Sequence, residues 1–245
     1  MEVVKTPGVV LRSIPFNDNA TIVHFYTRQQ GLVSCMVHHG KKQGNKSHGA
    51  LLQNLALNDL VLTHGNTSDL FHLKEIKPYY NYQTINNLQN NINKVCILMF
   101  LNEFLVKCIR EGVHSTSLYD FLSEALMTFD KSEKFLPDFH IIFLMHLARY
   151  IGFGFPKPTS NVYNVYDIQQ NTWSTQVPDN PYYIPKPYLE FILEASNAGF
   201  SDSIRNCNNG AARRTTTEYI ISYYRYHFPE LGTIKSLDIL STLMM

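Results

Sequence analysis

Residues 21–37 constrain the fold more than any other stretch. Thr21-Ile-Val-His-Phe-Tyr-Thr27 is rich in β-branched and aromatic side chains, Arg28-Gln-Gln-Gly31 is a turn ending on a glycine suited to positive φ, and Leu32-Val-Ser-Cys-Met-Val37 resumes the alternation. Together they predict a β-hairpin with unequal faces. Val23, Phe25, Val33, Cys35 and Val37 share one parity and read as core, whereas His24, Tyr26, Ser34, Met36 and His38 share the other. Two readings fit that second face: a platform on which bases stack against Tyr26 and Met36, or ordinary packing beneath a neighbouring loop or helix.

Directly after the hairpin, residues 38–49 hold three lysines, three histidines and three glycines with no apolar side chain to bury. An exposed loop is expected. From Asn19 to Asn58 there is no Asp or Glu, while Arg28, Lys41, Lys42, Lys46 and four histidines lie inside that window. The 245-residue chain carries a formal charge of only +1, so attraction to a polyanion has to come from such local clustering. Protonated histidines would add to it below neutral pH. The plainer reading is a loop that carries lysines for solubility.

The flanking segments supply partners for the hairpin. Glu2 to Ser13 is β-rich, and Pro7-Gly8 in its middle predicts a bulge or bend. Leu55 to Thr63 and Leu70 to Ile76 read as fourth and fifth strands around a turn at residues 64–69. Five short strands within about eighty residues predict a small closed barrel of the OB type, with a five-stranded half-sandwich as the alternative. After Pro78 the apolar period becomes helical. Ile92 to Ile109 is apolar nearly all round in its first half, with Asn102, Glu103, Lys107 and Arg110 marking an exposed side. A helix follows from a capping-box-like start at Ser117 to Phe129, then another from Asp138 to Ile151, with Pro137 at its first turn and Gly152 as its stop. Residues 153–186 contain five prolines and predict a small β excursion; Pro187 to Ala198, Ala211 to His227 and Thr233 to Met244 predict three closing helices. The fold class is therefore α+β: an N-terminal five-stranded barrel over residues 1–80, then a mainly helical domain over 81–245 with an irregular β insertion at 153–186.

Catalysis finds no support in the motifs. G-x-S-x-G, H-E-x-x-H, G-x-x-x-x-G-K-[ST] and G-x-G-x-x-G are all missing, and Gly40-Lys-Lys-Gln-Gly44 only mimics a phosphate loop. Cys35, Cys96, Cys108 and Cys207 are scattered, with no C-x-x-C pair, and are expected to be reduced thiols of a cytoplasmic protein. Met1 to Pro7 lacks the pattern of a secretory signal, and no apolar run approaches a membrane span, so no membrane partner is expected. Adjacent His38 and His39 would point to opposite faces of a strand, which disfavours a shared metal. His140 and His146, six apart on one helix, read as satisfied, partly buried side chains. Arg205, Arg213 and Arg214 flank a helix N-terminus, where they oppose the macrodipole; either an anion compensates them or they form a solvated face.

Four patches in this order resemble the RecO family of recombination mediators: Thr6 to Arg12; Ile22 to Ser34 leading into the basic loop and Gly49 to Gln53; Phe139 to Leu144 with Tyr150 to Phe153; and Tyr223 to His227 with Ile234 to Leu237. The resemblance spans almost the whole chain. It implies a non-enzymatic protein of DNA repair and homologous recombination, nucleoid-associated, with no cofactor. It further implies that the barrel binds single- and double-stranded DNA, that complementary strands are annealed, and that work with RecR and the single-strand-binding protein SSB loads RecA. Carried over by position, the family's basic loop falls on Lys41, Lys42 and Lys46, with Arg12, Arg28 and His38 beside it. His38 and His39 depart from the family pattern, standing where Lys and Gly are more usual. Some relatives carry a four-cysteine zinc site in the irregular segment; residues 153–205 contain no Cys, so no zinc is expected. For the acidic, apolar SSB tail the candidates are Arg110, Arg149 and Arg225, near apolar helical faces. The reading that competes with all of this is a protein-interaction adaptor whose barrel does not bind nucleic acid.

Overall fold

The computed structural model describes residues 2–38, 49–64, 70–80, 92–110, 112, 114–158, 162–205, 207 and 209–243. Two compact units emerge: one of Met1–Leu88 with Leu105–Lys131, the other of Gln89–Phe104 with Ser132–Met245.

In the first unit, β1 (Glu2–Asn17), β2 (Ala20–Thr27), β3 (Gly31–His38), β4 (Leu57–His64) and β5 (Phe71–Pro78) close into a barrel of order β1-β2-β3-β5-β4. The predicted OB-type barrel is thus present. Closure comes from the long, bent first strand, which pairs through residues 2–9 with β4 and through residues 8–17 with β2, and from a short parallel contact of β3 with β5. Gly8 lies where the two ladders of β1 overlap. A Cβ there would come within 2.8 Å of Leu60 Cδ1 and 3.3 Å of Thr27 Cγ2, so a side chain at the crossing requires the Leu60 tip to move aside. The bulge falls later than Pro7-Gly8, between Val10 and Arg12. The hairpin follows its sequence closely: Thr27 faces Gly31 across the turn, and Gly31 has φ 66°.

Val10, Val23, Phe25, Val33, Cys35, Val37, Leu60, Leu62 and Ile76 fill the barrel, with Leu52 and Ala56 of the preceding loop added to them. The core parity read from the hairpin is the one observed. β4 starts two residues later than expected because Leu55 is in the left-handed region at φ 66°, where its N–H donates to the Val10 carbonyl at 2.6 Å. That turn folds residues 51–56 back over the barrel end, pinned by Ser13 Oγ donating to Leu52 O and Asn58 Nδ2 donating to Leu51 O.

Helix α1 (Ile92–Cys108) ends in the first unit, and α2 (Thr116–Lys131) belongs to it entirely. The residue that caps α2 is Ser115, whose Oγ accepts from Leu118 N, rather than Ser117. Tyr26 OH accepts from Ser115 N and donates to Ser115 O, both at 3.2 Å, which ties the hairpin to that cap.

The second unit is built on α3 (Phe139–Tyr150), whose residues 139–145, 147 and 148 are all buried. Gly152, at φ 98°, ends it as predicted. β6 (Val165–Asp167), β7 (Thr172–Ser174) and β8 (Tyr183–Pro185) form the expected small sheet, whose Tyr166 and Trp173 pack with Phe155. α4 (Tyr188–Ala195), α5 (Gly210–His227) and α6 (Ser236–Leu243) follow. Glu103 reaches the start of α6 and accepts from Lys235 N, Ser236 N and Ser236 Oγ. His146 is satisfied as read, its Nε2 2.9 Å from Ala198 O; His140 is fully buried rather than partly, with Nε2 3.0 Å from Thr217 Oγ1 but Nδ1 without a hydrogen-bond partner among the described residues. Among the described residues no helix is long and apolar enough to cross a membrane.

Candidate nucleic-acid interface

In small OB-type barrels the outer face of strands 2 and 3, here β2 and β3 with β1 beside them, is where oligonucleotides bind. Of its hairpin side chains, Tyr26 is fully buried and Met36 nearly so, which decides between the two readings above: these residues pack, and Tyr26 offers no platform. Burial also pushes the Tyr26 hydroxyl above its ordinary pKa. What stays accessible lies at two ends of the face.

At one end is His38, the exposed last residue of β3. Its ring is nearly parallel to that of exposed His72 on β5, at 6° with centroids 6.2 Å apart, because the parallel β3–β5 contact sets Met36 opposite His72. His72 was missed in the sequence; an outward position on β5 was the available signal. The chain leaves β3 here into the lysine loop. Lys41, Lys42 and Lys46 lie outside the described residues.

At the other end, the bulge in β1 re-aims two successive side chains. Val10 pairs with Phe25 and points into the core, Arg12 pairs with His24 on the outer face, and the extra residue Leu11 joins the same side. Leu11, Arg12, His24 and Leu32 then line an open cavity of about 280 Å³, completed by Val106, Ile109 and Arg110. Arg12 is exposed and has no ion-pair partner among the described residues. The His24 ring is held by its Nδ1, 3.2 Å from Ser34 Oγ. None of the described residues lining this cavity is acidic.

The remaining arginines are differently employed. Arg28, in the hairpin turn, donates from Nε and Nη2 to the two carboxylate oxygens of Asp120 at 2.8 and 3.1 Å. That fork holds the Asp120 carboxyl below its ordinary pKa. Arg213 donates to Asp138 Oδ1 at 2.8 Å, and Asp138 is almost entirely buried. The anion that compensates an arginine at this helix start is therefore one of the chain's own carboxylates. Arg214 pairs with Glu218 one turn on, and Arg205 stands 3.8 Å from Glu194. Arg149 Nη2 donates to the Ser196 carbonyl and Arg225 Nε to Gly232 O. Arg110 is grouped with Arg12 rather than with Arg149 or Arg225.

The cysteines are all buried, and burial pushes the thiols of Cys35 and Cys108 up to about 12 and that of Cys207 to about 11. Among the described residues no group of three or more His, Cys, Asp or Glu side chains is arranged to hold a metal ion.

Known proteins match this chain along nearly its full length. Two family descriptions match in order, "Recombination protein O N terminal" over residues 1–82 and "Recombination protein O C terminal" over residues 89–156. A protein named DNA repair protein RecO from Azobacteroides pseudotrichonymphae is 27% identical over 237 residues, covering 96% of this chain and 97% of its own. Proteins of the same name from Bacteroides fragilis and Flavobacterium johnsoniae are 28% and 27% identical, covering 98% and 97% of this chain and the same shares of their own. With barrel and helical parts matched in sequence order and its relatives aligned end to end, the chain belongs to the RecO family of DNA repair proteins.

Proposed function

We propose that this protein is a non-enzymatic mediator that holds DNA on its barrel, anneals complementary strands and, together with RecR, helps RecA assemble on single strands coated by SSB. One observation carries the reading. In a member of a DNA repair family with a closed barrel, the stretch of sequence that joins β3 to β4 holds three lysines and no acidic residue before Asp59. Lysines in such a stretch follow a phosphate backbone as point charges, Arg12 extends the positive field along the outer face, and the exposed His38 ring stands at the end of β3 beside them in sequence. Arg28 contributes less, since its guanidinium is already engaged by Asp120.

Labelled single-stranded DNA titrated over a range of salt tests this. If about five phosphates are neutralised, log affinity falls with log salt at a slope of roughly −3.5, and Lys41→Glu, Lys42→Glu and Lys46→Glu together should flatten it by about 2 and abolish annealing. A folded triple variant that binds and anneals with the wild-type slope would move the site off this loop. Wild-type protein without salt-dependent binding would leave the adaptor reading in its place.

A further inference from the structure

The cavity beside the β1 bulge combines features that a lysine loop lacks. Its floor is aliphatic: Leu11, Leu32, Val106 and Ile109. Two guanidinium groups, Arg12 from β1 and Arg110 from just beyond α1, belong to its wall, together with the His24 ring. A ligand that satisfies both halves is flat and apolar in one part and anionic in the other. Arginine suits the anionic part, because its planar fork matches phosphate and its face stacks on a base. A volume of about 280 Å³ is near the small end of ligand pockets, of the order of one small ring system with its anionic group.

Position selects among such ligands. His24 and Leu32 have the outward parity of β2 and β3, so the cavity opens on the barrel face whose β3 ends at exposed His38. His24 stands four residues along β2 from Ala20, which pairs with His38; that separation is roughly 13 Å. It falls within the footprint of roughly 4–16 nucleotides that one such barrel covers. A strand lying along this face from His38 would therefore pass the cavity mouth.

We propose that this cavity seats one nucleotide of the bound single strand, its base laid on Leu11, Leu32, Val106 and Ile109 and its phosphate held by Arg12 and Arg110. The proposal rests on the DNA-binding reading and deepens it. Arg12 and Arg110, which sequence position alone distributes between two different partners, thereby serve one ligand. The backbone contacts of the loop are indifferent to base; the cavity adds a term that requires a base to be present.

The test compares two single strands of equal length and charge, one of ordinary thymidylates and one of abasic residues, against the full chain. The thymidylate strand should bind roughly tenfold or more tightly, the increment of one stacked base. Val106→Trp, which fills the cavity and keeps both arginines, should bring the two strands to equal affinity. Arg12→Ala with Arg110→Ala should flatten the salt slope by about 0.7, the one phosphate that both hold on a single strand. Circular dichroism establishes that each variant is folded, and Leu32→Phe serves as a second filling variant if Val106→Trp is not. Folded filling variants that still prefer the thymidylate strand by the wild-type factor would overturn the inference while leaving DNA binding intact. So would saturable binding of an acidic peptide with an apolar C-terminus that Val106→Trp abolishes and DNA does not displace. A wild-type protein that binds neither strand would overturn both this inference and the reading it rests on.

Discussion

Replacing Arg213 by Ala should destabilise the second unit severely while replacing its neighbour Arg214 should not. Arg213 Nε lies 2.8 Å from Asp138 Oδ1, with the arginine side chain 16% and the aspartate 2% exposed. Among the described residues the other carboxylate oxygen accepts from the Ile204 backbone amide at 3.0 Å. Truncation at 213 leaves a carboxylate out of water without its cation, a change that costs about 3–5 kcal/mol. For a chain of this size each kcal/mol lowers the melting temperature by about 2–4 °C, so a fall of roughly 6–20 °C is expected. Arg214 pairs with Glu218 at 2.9 Å where both are close to half exposed; such a surface pair is worth about 0.3–0.5 kcal/mol and should move the melting temperature by less than about 2 °C. Adding Asp138→Asn to Arg213→Ala removes the stranded charge and should recover part of the loss. Thermal and urea denaturation followed by circular dichroism reads all four proteins, with DNA binding measured in parallel. Equal stability of the two single variants would refute the buried pair, and a folded Arg213→Ala protein with selectively weakened DNA binding would return this arginine to the interface.

Two further outcomes follow from buried groups. Burial, reinforced by the charge of Arg213, lowers the pKa of His140 from 6.5 to about 3, so the unfolded chain takes up this proton first: stability is whole above about pH 6.5 and declines as pH falls toward 3. Between pH 7.5 and 5.5 the loss from this side chain is on the order of 1 kcal/mol, and His140→Gln should show a denaturation free energy less dependent on pH by that amount; an unchanged pH dependence would mean that the ring is not held neutral. Glu103 accepts three hydrogen bonds at the start of α6, so Glu103→Ala should cost about 1.5–3 kcal/mol and raise amide exchange in residues 236–243; protection at the wild-type level there would show the helix held by packing alone.

The barrel was legible because strand parity is a local property. Val23, Phe25, Val33, Cys35 and Val37 alternate strictly, and the same alternation that buries them turns His24 and Ser34 outward, so core and face followed from one pattern. Boundaries failed where a local rule was overridden by a contact distant in sequence. Leu55 continues an apolar run, yet its backbone turns left-handed to bond Val10, and Ser115 rather than Ser117 caps α2 in a turn that also binds Tyr26 from the hairpin. Lys94 reads as solvent-facing by type but is buried, its Nζ donating to Ser132 O at 2.6 Å.

Charge was the least legible property, for a physical reason. An arginine's availability depends on where carboxylates fall in space, and pairings such as Arg28 with Asp120, 92 residues apart, or Arg213 with Asp138, 75 apart, leave no trace in a local window. The acid-free stretch from Asn19 to Asn58 guarantees only that its cations cannot be neutralised from within it. Arg28 shows the consequence, finding its carboxylate on a helix outside the window. Arg12 lies just before the window and meets no carboxylate among the described residues, because the β1 bulge turns it toward Leu11 and His24 instead. The positive field of this barrel face is therefore smaller than the sequence count implies at the hairpin turn and undiminished at the bulge. A substitution that frees Arg28, Asp120→Asn, tests the same point from the other side: added DNA affinity and a steeper salt slope would show that the internal carboxylate withholds a phosphate contact, whereas an unchanged slope would place Arg28 outside the path of the strand.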